Sequence, residues 1–193
     1  MALVIAVVGS GGKTTKIHQL TEQYRKEEKK VLVTTTTHMY REEGCILSGN
    51  VEDIIQRLND CGYCMAGMPA EHEKMKVLPP DVYEEICKYA DIVLVEADGS
   101  KGMPVKFPAC HEPVVPENVD EIYIVTGLCA VGKILKEVCH RKELVQECLG
   151  VSEETALTEE HLRKLLQKGY LEPLKTQYPK TKLSVWFNDY KKN

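Results

Sequence analysis

No stretch of this sequence is apolar for long. The run near its amino end, residues 2–8, is seven residues long, whereas a helix that crosses a bilayer needs about twenty. No basic stretch precedes that run and a glycine loop follows it, so it does not read as a secretory signal. An excess of positive charge is missing too: 25 Lys and Arg stand against 29 Asp and Glu, a formal net charge of −4. Without a basic surface, a nucleic-acid backbone is not an expected partner. No block of like charge stands out, internal repeats are lacking, and no segment is of low complexity. Eight cysteines are present, but in a chain that otherwise reads as an intracellular α/β domain they are expected to stay reduced. What these absences leave is a soluble, cytoplasmic protein with neither nucleic acid nor membrane as partner, folded as one domain over residues 1–193.

Short apolar runs alternate with helical patterns, which predicts an α/β fold with a doubly wound, mainly parallel sheet. Residues 3–8 are rich in Val and Ile and continuous, as in a strand buried on both faces. Ile17, Leu20 and Tyr24 share one helix face, and 31–35 form a second strand. Residues 44–78 read as a less regular insertion, with a helix through Val51, Ile54, Ile55 and Leu58 flanked by short strands at 45–47 and 63–66. Pro79 and Pro80 open a helix with Val82, Ile86 and Tyr89 or Ala90 inward, which leads into a strong strand at 91–96. Residues 99–116, with four prolines and two glycines, read as a long surface loop, the kind that is functional or disordered. A strand at 121–126, a helix from about Ala130, a helical stretch at 142–149 and a last strand at 182–187 follow. Thr158 caps a helix whose buried stripe is Leu162, Leu165 and Leu166, with Gly169 placed past its end.

One more absence leads to the chemistry. The phosphate-loop pattern G-x-x-x-x-G-K-[ST] wants a glycine where this chain has Val7. The physical needs of such a site are nevertheless met: converging backbone amides, a helix N-terminus behind them, and a cation. Gly9, Gly11 and Gly12 allow close approach to a phosphate, Ser10 lies between them, and Lys13 supplies the charge, expected here to stand exposed. Thr14 offers a hydroxyl to Mg²⁺, with Thr15 beside it. The first glycine is a matter of loop length, and a shorter loop that starts at Gly9 can still wrap a phosphate. The shortened form G-x-x-G-K-[ST]-[ST] resembles that of the Mur ligases. An NTPase also wants an acidic group at the end of a neighbouring strand. The apolar strand at 91–96 ends in Glu96, followed by Asp98 and Gly99, at the sheet edge where ligands bind; either carboxylate suits the metal. Thr36, Thr37 and His38 follow the second strand and, if that strand neighbours the first, lie beside the loop as nucleotide, metal or substrate contacts.

Together, "GSGGKTT", "TTTTHM", "VEADGSKGMPVKFPACHEPVVP" and "CHR" resemble the YqeC family, accessory proteins for selenium-dependent molybdenum hydroxylases. The similarity runs from Met1 to about Gly150 and is most specific from Glu96 to Pro116; the tail reads as shorter than is usual for the family. The resemblance implies a phosphate-loop nucleotide-binding protein that acts in making or installing a labile selenium cofactor. Its partners would be a nucleotide, a small acidic substrate or selenium/molybdenum cofactor precursor, and an apo-hydroxylase.

The residues of the specific segment carry their own reading. Lys101, Lys106, His111 and Glu112 lie among prolines and suit an acidic substrate held opposite the nucleotide. His140 and Arg141, at a helix start, could offer a cation to a transferring phosphoryl group. The catalytic candidates are therefore Lys13, Glu96, Asp98, His111 and Arg141, with Thr14, Glu96 and Asp98 as metal ligands. The cofactors are ATP or GTP with Mg²⁺: the strand end at residues 187–191 matches the guanine-reading N-K-x-D pattern too poorly to decide the base. Two other readings stand beside the hydrolase or phosphotransferase. One is a nucleotide-regulated chaperone or insertase for an apo-hydroxylase; the other is thiol-based selenium transfer through the C-x-x-C pair Cys61 and Cys64.

Overall fold

The computed structural model describes residues 2–189; of the strand end considered for base recognition, Tyr190 and Lys191 lie outside the described residues. The chain divides into two compact units. One is built from the chain up to Val7, Thr14–Ala97 and Val114–Asp120, the other from Val8–Lys13, Asp98–Pro113 and everything from Glu121 onward.

The first unit begins with β1 (Leu3–Gly9), whose last two residues belong to the second, followed by α1 (Lys13–Lys26), β2 (Val31–Thr35), β3 (His38–Tyr40) and α2 (Val51–Cys61). Then come β4 (Tyr63–Met65), β5 (Met68–Pro69), β6 (Lys74–Lys76), α3 (Pro80–Ile86) and β7 (Ile92–Glu96). Strands β1, β7, β2 and β4 are parallel neighbours in that order. β7 lies between β1 and β2, so the condition under which Thr36, Thr37 and His38 would lie beside the loop, that the second strand neighbours the first, is not met. The physical reason is burial: every residue of β7 is buried, and so apolar a strand is best accommodated with a partner on both edges. The register pairs Val7 with Glu96 and Glu96 with Thr35, which brings the carboxyl ends of the three strands level. Helix α2 buries Ile54 and Leu58, is capped by Asn50 accepting from the Asp53 amide, and ends at Gly62 in the left-handed region (φ 64°). Residues 44–78 thus supply a strand of the main sheet, while β3, β6 and β5 form a small antiparallel sheet of their own.

The second unit contains β8 (Val105–Lys106), β9 (Glu121–Gly127), a 3₁₀ turn (Leu128–Ala130), α4 (Leu135–Val138), β10 (Cys139–His140) and α5 (Lys142–Leu149). It closes with α6 (Glu159–Leu166), a π-helical turn (Gln167–Leu171), α7 (Glu172–Gln177) and β11 (Lys182–Asn188), which runs parallel to β9 from Lys182 opposite Glu121 to Asn188 opposite Gly127. Six parallel strands therefore make one α/β sheet, in the order β11-β9-β1-β7-β2-β4. Helix α6 packs Leu162 and Leu165 against Leu135, Val138 and Val145 in an apolar cluster.

Three expectations fail here. The segment at 99–116 is not wholly a surface loop, because Val105 and Lys106 are buried and pair with Cys139 and His140 as β8 and β10. Gly169 does not end α6: the chain continues through the π turn into α7. A Cβ at Gly169 would stand 2.9 Å from the Pro108 ring and 3.1 Å from that of Phe107, so this glycine serves close packing, not termination. The helix expected from Ala130 is a 3₁₀ turn and the short α4. No helix among the described residues is long and apolar enough to cross a membrane.

Candidate phosphate-loop site

The loop between β1 and α1 is built tightly into the second unit. The Gly9 amide donates to Asp98 Oδ2 at 2.9 Å and the Ser10 amide to the Val125 carbonyl at 3.0 Å. Ser10 Oγ donates to the Pro104 carbonyl (3.1 Å) and Asn188 Nδ2 to the Gly11 carbonyl (2.8 Å). Gly11 has φ 74°, and a Cβ there would meet the Pro104 carbonyl at 2.5 Å and the Gly127 amide at 2.7 Å. No other residue fits that turn. The amides of Gly11 and Gly12 donate to nothing among the described residues, and they run directly into the first turn of α1, where amides have no helical acceptor. The Gly9 and Ser10 amides and the Gly11 carbonyl are thus fastened, while the amides of Gly11 and Gly12 are left open.

Lys13 is where the structure departs from expectation. It is only 6% exposed, not solvent-facing. Its chain folds back over the loop, and Nζ donates to the Gly9 carbonyl at 3.0 Å and to Ser100 Oγ at 3.3 Å. Both acceptors are neutral, and among the described residues no carboxylate pairs with it. Buried ammonium groups ordinarily have an anionic partner, because desolvation of a lone charge is expensive.

Behind the loop lies a chain of buried charges. Asp98, fully buried, accepts the Gly9 amide and the Tyr170 hydroxyl (2.7 Å) on Oδ2 and Lys106 Nζ on Oδ1. Lys106 also donates to the Gly99 carbonyl (2.6 Å) and pairs with Glu112 Oε2 (2.9 Å). Glu112 in turn takes the Ala109 amide on Oε2 and Arg141 Nη2 on Oε1, at 3.0 and 2.9 Å. Burial pushes the Glu112 carboxyl up, but the hydrogen bonds from Lys106, Ala109 and Arg141 outweigh it and hold its pKa at about 2. Burial first, and then the charge of Asp98, lift the Tyr170 phenol well above its ordinary range. The structure therefore brings Asp98, Lys106, Glu112 and Arg141 together. Lys106, read from the sequence as facing a substrate, instead turns inward between two carboxylates. His111 stands exposed at a turn. Tyr170, Ser100 and Asn188 were not legible as site residues: Tyr170 lies beyond the glycine expected to end its helix, and hydroxyls and amides at strand ends carry no motif.

In the first unit, Glu96 closes β7, and its carbonyl accepts Thr35 Oγ1 (2.8 Å) and the Thr36 amide (3.1 Å). Thr36 Oγ1 donates to the Val114 carbonyl at 2.6 Å, and the Thr37 amide to Thr35 Oγ1 at 3.0 Å. These hydroxyls fasten the strand end. His38 begins β3 and is exposed, as are Thr14 and Thr15 on the first turn of α1. Of the C-x-x-C pair, Cys61 is exposed, whereas Cys64 is buried on β4, where burial raises its thiol to about 12. A thiol held protonated is a poor nucleophile.

A parallel α/β sheet whose first strand passes through a glycine turn into a helix opened by lysine has the architecture of the phosphate-loop class. The chain belongs to the YqeC family: the family described as YqeC protein matches residues 5–143. Escherichia coli (strain K12) has a relative named "Uncharacterized protein YqeC", 30% identical over 168 residues, which cover 80% of this chain and 63% of the relative. The chain thus spans under two thirds of that relative's length.

Proposed function

We propose that residues 9–15 bind the phosphates of a nucleotide, ATP in preference to GTP, and that the chain hydrolyses it or transfers its terminal phosphoryl group. The observation that carries this reading is Lys13, an ammonium 6% exposed with two neutral acceptors. A phosphate would supply the missing negative charge, and the unused amides of Gly11 and Gly12 are the donors that would cradle it. Mg²⁺ would be held by Thr14 and Glu96, both of the first unit. Asp98 already has both oxygens engaged. Among the described residues no group of three or more His, Cys, Asp or Glu could hold a metal alone, so one hydroxyl and one carboxylate suit an ion that arrives on phosphate oxygens. There it would offset charge on the transferring group. Family membership supports a setting for this activity, the maturation of the selenium cofactor of molybdenum hydroxylases in the cytoplasm.

Calorimetric titration of the full chain with MgATP and MgGTP tests the reading. Saturable binding is expected, and no heat with either nucleotide overturns it. Glu96→Gln is expected to leave binding of the nucleotide alone unchanged and to lower turnover by about a hundredfold, since it removes metal or water positioning in the transition state. Hydrolysis that appears only with an added apo-hydroxylase would instead favour a chaperone or insertase.

A further inference from the structure

Arg141 uses few of its donors. Nη2 donates to Glu112, but Nε is buried and finds no acceptor among the described residues, and the same is true of Nδ1 on the adjacent His140. Buried polar atoms without partners are uncommon, and two on neighbouring residues call for an explanation. The backbone points the same way. Arg141 holds φ 62° and ψ 52°, a conformation that residues other than glycine seldom adopt and that clusters at ligand sites. Lys101 is also left-handed, at φ 51°, and is exposed with no acceptor among the described residues.

Charge balance narrows the chemistry. Burial first, and then Lys106, Arg141 and Lys101, depress the basicity of His140, so three cations act at one imidazole. Glu112 offsets them in part, and its oxygens are already taken by Lys106, the Ala109 amide and Arg141. Asp98 is likewise spent on the loop, Tyr170 and Lys106.

We propose that Arg141 and His140 form a second subsite, for the phosphoryl or carboxylate group of an acidic substrate, held through Arg141 Nε and His140 Nδ1. Its role as a co-substrate site rests on the nucleotide reading above; its anion chemistry does not.

The test is a ¹H–¹⁵N NMR titration of the full chain and of Lys13→Ala with inorganic phosphate, malonate and chloride at matched ionic strength. The Arg141 Nε–H resonance is assigned through Arg141→Lys. A saturable shift of that resonance with phosphate or malonate, retained in Lys13→Ala and accompanied by an upward move of the His140 titration, is expected. The tighter of the two anions names the group. Arg141→Gln should weaken that binding about tenfold or more. If Arg141 Nε–H does not respond to either anion, or responds equally to chloride, the subsite is overturned, even where the Gly11 and Gly12 amides shift with phosphate. An Arg141 response without any response at Gly11 and Gly12 would support the subsite and count against the phosphate loop.

Discussion

Replacing Lys13 by methionine should separate stability from binding. The side chain keeps nearly its length and loses its charge. In the unliganded protein the ammonium makes two hydrogen bonds to neutral acceptors, at 3.0 and 3.3 Å, and bonds of a charged donor are worth about 1.5–3 kcal/mol each. Against them stands the cost of burying an ion that no carboxylate compensates, several kcal/mol in folded proteins. The two nearly cancel, and methionine adds apolar burial. The expected change in unfolding free energy is therefore within about 1.5 kcal/mol of zero, in either direction, by urea denaturation. Nucleotide binding should behave differently. The lysine–phosphate contact has no substitute in methionine, so the MgATP dissociation constant should rise about tenfold to a hundredfold by calorimetry. The reasoning would be refuted if Lys13→Met bound MgATP as tightly as the parent. It would also fail if the variant lost more than about 3 kcal/mol of stability, since Lys13 would then be a structural cation and not one waiting for an anion.

Tyr170→Phe removes one of three donors to a buried carboxylate and should lower stability by about 1–3 kcal/mol. Because Asp98 also holds the Gly9 amide, its nucleotide affinity should fall as well, and an unchanged affinity would disconnect Asp98 from the loop. The Glu112 carboxyl, held at about 2 in the fold against an ordinary 4.5, contributes stability that is fully present above the unfolded value. That contribution is lost as pH falls from about 5 toward 2. Urea midpoints over that range should drop more steeply for the parent than for Glu112→Gln, and equal slopes would contradict the ion network.

Much of this protein is set by local sequence. Strands such as β1 and β7 follow from runs of Val, Ile and Leu too apolar for any surface, and α2 from the spacing of Ile54 and Leu58 between Asn50 and Gly62. The loop at residues 9–15 was legible for the same reason: its demands are local ones, glycines where the backbone must turn and a lysine at a helix start. Three things were decided only by tertiary structure. The place of β7 between β1 and β2 depends on which strand gains most from two partners, a comparison made across the whole sheet. Lys13 reads as exposed from its neighbours in sequence, but Gly9 and Ser100, 87 residues further along the chain from it, draw it inward. The linkage of Asp98, Lys106, Glu112, Arg141 and Tyr170 has no spacing rule at all, because a buried charge must find its counter-charge in space, wherever the fold brings one within hydrogen-bonding distance.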